Sequence, residues 1–401
     1  MKNSRSAIVV FSVFAMATTV FASAGEEGSA PQPPTSPAPG DVPPPDAKAL
    51  LENSGFRSVP GFQTDFSRST IPSSDVMSGG PPKDGIPAVD HPIFVDRAAA
   101  DEWLAADEPV FVVSVDGQTH IYPVQILTYH EIVNDVVGGT PVTVTFCPLC
   151  NSGLTFRREF GGDVLDFGTT GRLRLSNLIM YDRQTETWWQ QATGEGLVGR
   201  YAGFRLDLYP MIMLPWDRAR DRFTDAAVLS RDTGYNRPYG NNPYAGYDTS
   251  RQPFLYAGPR APGPFTSMDR VLEVKHGQES AAFPYPVLAE ERIVQREVGG
   301  ESVVVFWEAG TSSALDARSI ANGRDVGVAN AFSAVVDGRT LTFEALTGSF
   351  RDIETGTIWD AFGVAIFGEL EGKALDPVIG VQHFWFSYSA FSEDGRWRPV
   401  E

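Results

Sequence analysis

The chain has 401 residues, with 32 basic against 50 acidic side chains and a formal charge of −18. Such a surface repels nucleic acid and anionic lipid, and no basic tract offsets it. The length exceeds one ordinary domain, so two units are expected; two cysteines are too few for a disulfide framework.

Lys2 and Arg5 precede an apolar run from Ala7 to Phe21 and the small residues Ala22-Ser23-Ala24. This reads as a secretory signal over residues 1–24, cut after Ala24. The apolar run is too short to favour a membrane span. The mature chain, at −20 once Lys2 and Arg5 leave the −18 total, is expected to be exported. A periplasmic or extracellular location without stable membrane insertion follows. Residues 25–55 begin with a proline-rich tract and read as a disordered linker. Residues 56–106 read as an irregular wrapping segment that ends in a short helix over 96–106.

From 107 the pattern is β. "PVFVVSV" and "QTHIYPV" flank Asp116-Gly117, a hairpin signal. "LTFRREF" and "DVLDFGT" flank Gly161-Gly162 in the same way, and "NLIMYD" and "TWWQQAT" flank a polar turn. Residues 226–267 form a Tyr/Gly/Pro-rich connection, too polar to read as core. Residues 122–154 match residues 283–315 at a constant offset, pairing Pro123 with Pro284 and Gly138-Gly139 with Gly299-Gly300. Further on, Asp182 and Trp189 match Asp352 and Trp359. The expected fold is mainly β (α+β), with two related β-rich repeats packed together over 107–225 and 268–394. Short helices are expected at the repeat ends.

The repeat serves as an internal control on chemistry. Copy one carries His130, Glu131, Asp135, Cys147 and Cys150, where copy two has Glu291, Arg292, Arg296, Glu308 and Thr311. Function is therefore expected in copy one. Cys147-Pro148-Leu149-Cys150-Asn151 leaves one strand and enters another, the shape of a metal knuckle, and Asn151 tolerates positive φ. Two thiolates with imidazole suit copper or zinc. A thioredoxin-type motif would be followed by a long helix, which "LTFRREFGG" is not. Three readings stay open: a metal site, a thiol–disulfide couple and an inert bridge.

If residues 129–137 and 142–147 pair as a hairpin, Ile132 faces Phe146 and His130 falls beside the cysteine turn. The expected ligands are Cys147, Cys150 and His130, with His383 of the second copy as a fourth. Glu131 and Asp135 are candidate catalytic residues, as general base or orienter of a ligating histidine. On a strand they would share the face opposite His130, and solvated surface is the plainer reading of both.

"TDFSRSTIPSSDVMSGGPPKDGIPAVDHPIFV", "YHEIVNDVVGGTPVTVTFCPLCNSG", "GRLRLSNLIMYDRQTETWWQQATGEGLVG" and "HFWFSYSAF" resemble the DUF3179 family of exported bacterial proteins, with the likeness running from about Thr64 to Phe391. The family usually has Gly where this chain has Asn151, and both tolerate positive φ. The resemblance implies export and supplies no mechanism. The function expected from the residues is an exported metal-binding protein; the alternatives are a thiol–disulfide oxidoreductase using Cys147 and Cys150, and a non-catalytic binding module that uses the Tyr-rich 231–257 connection, with a bridged Cys147–Cys150 as a staple.

Overall fold

The computed structural model describes residues 48–392. The expected signal segment 1–24 lies outside them, as do residues 25–47 of the linker. Leu51 and Ser54 already hydrogen bond to Ser69 and Ser73 of the following segment. The wrapping segment contains a short helix, α1 (Arg97–Asp101), capped by the Asp96 carboxylate on the Ala99 N–H.

The first β-rich half opens with strands β1 (Pro109–Val115) and β2 (Gln118–Pro123). Asp116 and Gly117 turn between them with φ of +47° and +79°, the two positive angles a tight hairpin needs. Helix α2 (Val124–His130) follows directly, then β3 (Ile132–Val137) and β4 (Thr140–Cys147), and β5 (Ser152–Arg157) leaves the cysteine turn. Strands β6 (Phe167–Arg174), β7 (Asn177–Asp182) and β8 (Trp188–Gln190) form a second layer. Strand β9 (Ile212–Pro215) and helix α3 (Trp216–Arg222) close the half.

The second half begins with β10 (Arg270–His276), β11 (Glu279–Pro284), α4 (Tyr285–Glu291), β12 (Ile293–Val298) and β13 (Glu301–Glu308). Each of these has the same length as, and lies 161 residues beyond, its counterpart from β1 to β4. Strands β14 (Val328–Ser333), β15 (Phe343–Leu346), β16 (Ser349–Asp352), β17 (Ile358–Trp359) and β18 (Ile379–Phe384) continue it, and α5 (Trp385–Phe391) ends it.

The two halves interlace. One sheet runs β11-β10-β18-β5-β4-β3, so the hairpin of the second half continues the strands that carry the cysteines. On the other side, the Met213 N–H of β9 donates to Asn330 Oδ1 of β14 at 2.9 Å, and the Asn330 amide donates back to the Met213 carbonyl at 2.8 Å. One core joins Leu154, Phe156 and Trp189 to Val271, Phe384 and Trp385. Another joins Val110, Val112 and Trp216 to Phe306, Phe332 and Trp359. Apolar burial at roughly 25 cal/mol per Å² makes such shared cores the main cohesion between the halves.

Both halves repeat one buried lock. The Asp182 carboxylate accepts from the Thr185 N–H at 2.6 Å and the Trp189 indole at 2.9 Å. Asp352 does the same with Thr355 and Trp359, at 2.6 and 2.8 Å. Among the described residues, no helix is long and apolar enough to cross a membrane.

Candidate functional site

Strand β4 ends on Cys147, and the chain reverses at once. The Cys150 N–H donates to the Cys147 carbonyl and the Asn151 N–H to the Pro148 carbonyl, both at 3.2 Å. Asn151 takes φ of +50°, which a short polar side chain accepts more readily than a branched one. Cys147 then pairs with Ser152 across the ladder. Both cysteines are free and buried, 2% and 0% exposed. The Phe384 N–H from the second half donates to the Cys150 carbonyl at 2.8 Å and pins the turn.

Burial pushes the Cys147 thiol well up, and the adjoining Cys150 thiol adds to this. The backbone N–H groups of Leu178 and Cys150 act in the opposite sense, since they favour a thiolate. The Cys147 thiol lies 3.8 Å from the Ser176 carbonyl.

Glu131 sits directly after α2, in the left-handed conformation with φ of +59°. Its N–H donates to the Leu127 carbonyl at 2.7 Å, and its own carbonyl accepts the Phe146 N–H at 2.8 Å. Arg292 repeats this geometry after α4, with φ of +62° and the Trp307 N–H on its carbonyl at 2.9 Å. The unusual backbone is therefore part of the fold in both halves; the side chain is what differs. Arg292 lies over the Phe350 ring and donates to the Leu346 carbonyl. Glu131 is 7% exposed, and among the described residues its carboxyl has no hydrogen-bond partner. Burial, and then the charge of Cys147, push its pKa well above the usual carboxylate range.

The Glu131 side chain lines a cavity of about 390 Å³ with Leu149, Leu173, Leu178, Tyr244 and Tyr247. Leu149 lies between the two cysteines in sequence. The Tyr247 hydroxyl donates to the Leu149 carbonyl at 2.8 Å and accepts the Phe254 N–H at 3.2 Å. Burial raises the pKa of Tyr244 and Tyr247, with Glu131 the next cause for the first and Cys150 for the second. Both stay neutral hydroxyls. Their segment is anchored by Asp248, fully buried, which accepts from Arg270 and Arg324 at 3.1 Å each and from the Ser313 hydroxyl.

The sequence readings of the remaining residues need correction. Residues 124–130 are helix, and β3 begins only at Ile132, which faces Thr145 rather than Phe146. The hairpin argument for His130 therefore does not hold. His130 Nδ1 meets the Pro87 carbonyl at 2.7 Å and Nε2 the Tyr239 hydroxyl at 2.6 Å. His383 is buried with Nε2 at 3.2 Å from Glu273 and Nδ1 at 3.3 Å from the Ser387 hydroxyl. Burial pushes Glu273 up, but Lys275 and His383 outweigh it and hold its carboxyl at about 2. Asp135 accepts from the Tyr122 hydroxyl at 2.6 Å and contacts His120 Nδ1 at 2.7 Å. Neither Glu131 nor Asp135 is solvated surface; each is 7% exposed. Cys147, Cys150 and Glu131 share one site, whereas His130, His383 and Asp135 are engaged elsewhere. Among the described residues, no group of three or more His, Cys, Asp or Glu is arranged to hold a metal ion.

Sequence reading offered the Tyr-rich 231–257 connection as a binding element but did not single out Tyr244 and Tyr247 or place them beside the cysteine turn. The polar composition of the connection concealed them, yet tyrosine has an apolar body that packs while its hydroxyl finds a partner. The available signal was the contrast between Glu131 and Arg292.

Fold and site together describe a mainly β protein with a buried dithiol and a buried acid beneath an apolar cavity. The chain matches the DUF3179 family, described as a protein of unknown function, over residues 83–395, and it belongs to that family. No curated protein and no solved structure matches it.

Proposed function

We propose that the chain is an exported thiol–disulfide oxidoreductase, with Cys147 and Cys150 as the redox pair and Glu131 as their proton partner. The observation that carries this reading is the unpartnered Glu131 carboxyl, which lines the cavity and whose pKa the charge of Cys147 raises. A thiol raised by burial is inert until a base takes its proton. A carboxyl at its usual pKa is a poor base for a thiol; one raised toward the thiol range is better matched.

The chemistry balances without a further cofactor. In its carboxylate form Glu131 takes the Cys147 proton, and the freed sulfur attacks a small disulfide. The substrate S–S bond breaks, and the leaving sulfur takes the proton from Glu131. Cys150 then attacks Cys147 in the mixed disulfide, and its proton passes to the second substrate sulfur, which leaves as a thiol. Two protein thiols and one disulfide become one protein disulfide and two thiols. Because both cysteines are buried and neither lines the cavity, the turn that carries them must move for a substrate there to reach them.

The second reading is a copper or zinc site on Cys147 and Cys150. It is favoured by the Leu178 and Cys150 N–H groups directed at Cys147, which stabilise a metal-bound thiolate as well as a free one. His130 and His383 could join only by leaving their present partners. Metal analysis and thiol counting on protein purified from the exported fraction separate the two. Metal-free protein with two thiols that convert reversibly to one disulfide supports the first. One metal per chain, lost in Cys147→Ser, supports the second.

The equal element lengths and spacing of β1 to β4 and β10 to β13, with the paired Asp–Trp locks, support descent of the halves from one duplicated unit. In that reading the second half kept the scaffold and carries no thiols.

A further inference from the structure

We propose that a second cavity, lined by Glu273 and Arg174, binds a small zwitterion with an apolar body, its ammonium on Glu273 and its carboxylate on Arg174. The inference is independent of the thiols and of the redox reading.

The two halves differ sharply here. In the first, β1 and β9 pair with Val112 opposite Ile212 and Val110 opposite Leu214. In the second, β10 and β18 pair with Glu273 opposite Val381 and Val271 opposite His383. Glu273 thus stands where the first half has Val112, and His383 where it has Leu214. Val112 and Leu214 are buried in one apolar core, so an apolar pair suffices at these ladder positions. Replacing a buried charged pair by apolar residues often stabilises a fold, so stability alone does not account for Glu273. Its Oε2 meets Lys275 Nζ and His383 Nε2, at 3.2 Å each. Its Oε1 is buried with no hydrogen-bond partner among the described residues, and Glu273 is 2% exposed. Buried polar atoms are nearly always hydrogen-bonded, so this orphaned acceptor calls for a donor.

Glu273 lines a cavity of about 400 Å³, within the range of small-molecule sites. The charges of the lining select the ligand class. Lys275 is held by Glu273, Lys48 lies 3.3 Å from Glu195, and Glu279 accepts the Gly299 N–H at 3.2 Å. Arg174 has donors to spare. Its Nε is buried without a hydrogen-bond partner, and its contacts with Asp75 and Gln190 are long, at 3.7 and 3.4 Å. Arg205 brings the cations of the lining to four, against three acids. A simple cation would suit Glu273 but meet Arg174, Arg205 and Lys275. A simple anion would suit Arg174 but meet Glu195, Glu273 and Glu279. A zwitterion satisfies both poles: its carboxylate matches the guanidinium fork, and its ammonium supplies the donor that Oε1 lacks. Phe204 and Phe391, 8% and 9% exposed, line the same cavity and offer surface for the apolar body. The Arg174 guanidinium lies 5.9 Å from the centre of the Phe391 ring, which sets the carboxylate pole beside that surface.

The test is calorimetric titration of the purified protein with L-phenylalanine and two relatives that each lack one pole. 2-Phenylethylamine has no carboxylate, and 3-phenylpropionate has no ammonium. Expected are one phenylalanine site per chain and at least tenfold weaker binding of either relative. Arg174→Gln should erase the preference for phenylalanine over phenylethylamine. Glu273→Gln should erase the preference over phenylpropionate while its circular dichroism stays that of the wild type. Should Glu273→Gln unfold, the double variant Glu273→Val/His383→Leu takes its place, because it installs a branched apolar pair like that of the first half. Cys147→Ser/Cys150→Ser should bind phenylalanine as the wild type does, which separates this inference from the redox reading. Absence of phenylalanine binding, equal binding of either relative, or wild-type selectivity in the Glu273 variant would overturn it.

Discussion

The carbonyl of Glu131 accepts the N–H of Phe146 at 2.8 Å, which fixes the acid to the strand residue that precedes Cys147. The bond makes the acid and the thiol neighbours by backbone geometry. The second half has the same bond between Arg292 and Trp307, at 2.9 Å, and neither thiol. Two matching backbone arrangements thus carry different side chains, and only Glu131 feels the charge of a cysteine.

Glu131 makes stability depend on pH in a defined direction. Its folded pKa lies above the reference value of 4.5, so the folded state holds its proton more tightly than the unfolded chain. Its contribution is complete below about pH 4.5 and declines as pH rises toward the folded pKa. Every tenfold gain in proton affinity on folding corresponds to about 1.4 kcal/mol. Glu131→Gln should therefore gain stability relative to wild type as pH increases above the reference value of 4.5, in denaturant titrations at each pH. A difference that stays constant over this range would remove Glu131 as a buried titrating acid.

The paired locks should be equally costly to break. Asp182→Ala leaves the buried Trp189 indole without its acceptor, and Asp352→Ala does the same to Trp359. Each should lose roughly 2–4 kcal/mol in equilibrium unfolding, since a buried donor is orphaned and a turn loses its closing bonds. A negligible loss at either position would show that the two halves do not rely on these aspartates alike.

Asp248 anchors the segment that roofs the cavity. Asp248→Ala strands Arg270, which is 9% exposed at its side chain and whose pKa burial already pushes down. Removing one partner of a buried pair typically costs about 3–5 kcal/mol. The expected result is faster protease cleavage within 231–257. Unchanged cleavage would mean that the aromatic packing of Tyr247 and Tyr256 holds the segment without the ion pairs.

Gly153 is a packing constraint next to the cysteine turn. A Cβ there would stand 2.3 Å from the Phe111 ring. Gly153→Ala should cost roughly 1–3 kcal/mol by overpacking and should perturb the Cys147–Ser152 pairing, seen as increased thiol labelling. Wild-type labelling rates would show that Phe111 can move aside.

Much of the β scaffold was legible because its signals are local. Asp116-Gly117 announces a hairpin through its turn chemistry, and Asn151 announces a positive φ through its short polar side chain. The nature of "VQILTYH" was not legible. Its Val, Ile, Thr and Tyr suit a strand, but Pro123 starts a helix and the left-handed Glu131 stops it. That single difference turned His130 away from the thiols and brought Glu131 toward them. Nor did sequence spacing reveal Tyr244 and Tyr247, which reach the site through the Asp248 anchor, a long-range interaction. His383 looked available in sequence, but Glu273 pairs with it across 110 positions of chain.

The central claim is that Cys147 and Cys150 form a working redox pair. The decisive experiment is a titration of the purified protein against dithiothreitol buffers of stepped potential, read by intact mass and thiol count. A single reversible two-electron transition is expected, with a loss of about 2 Da on oxidation, absent in Cys150→Ser. Thiols that stay reduced at every potential, or a disulfide that no buffer reduces, would contradict it.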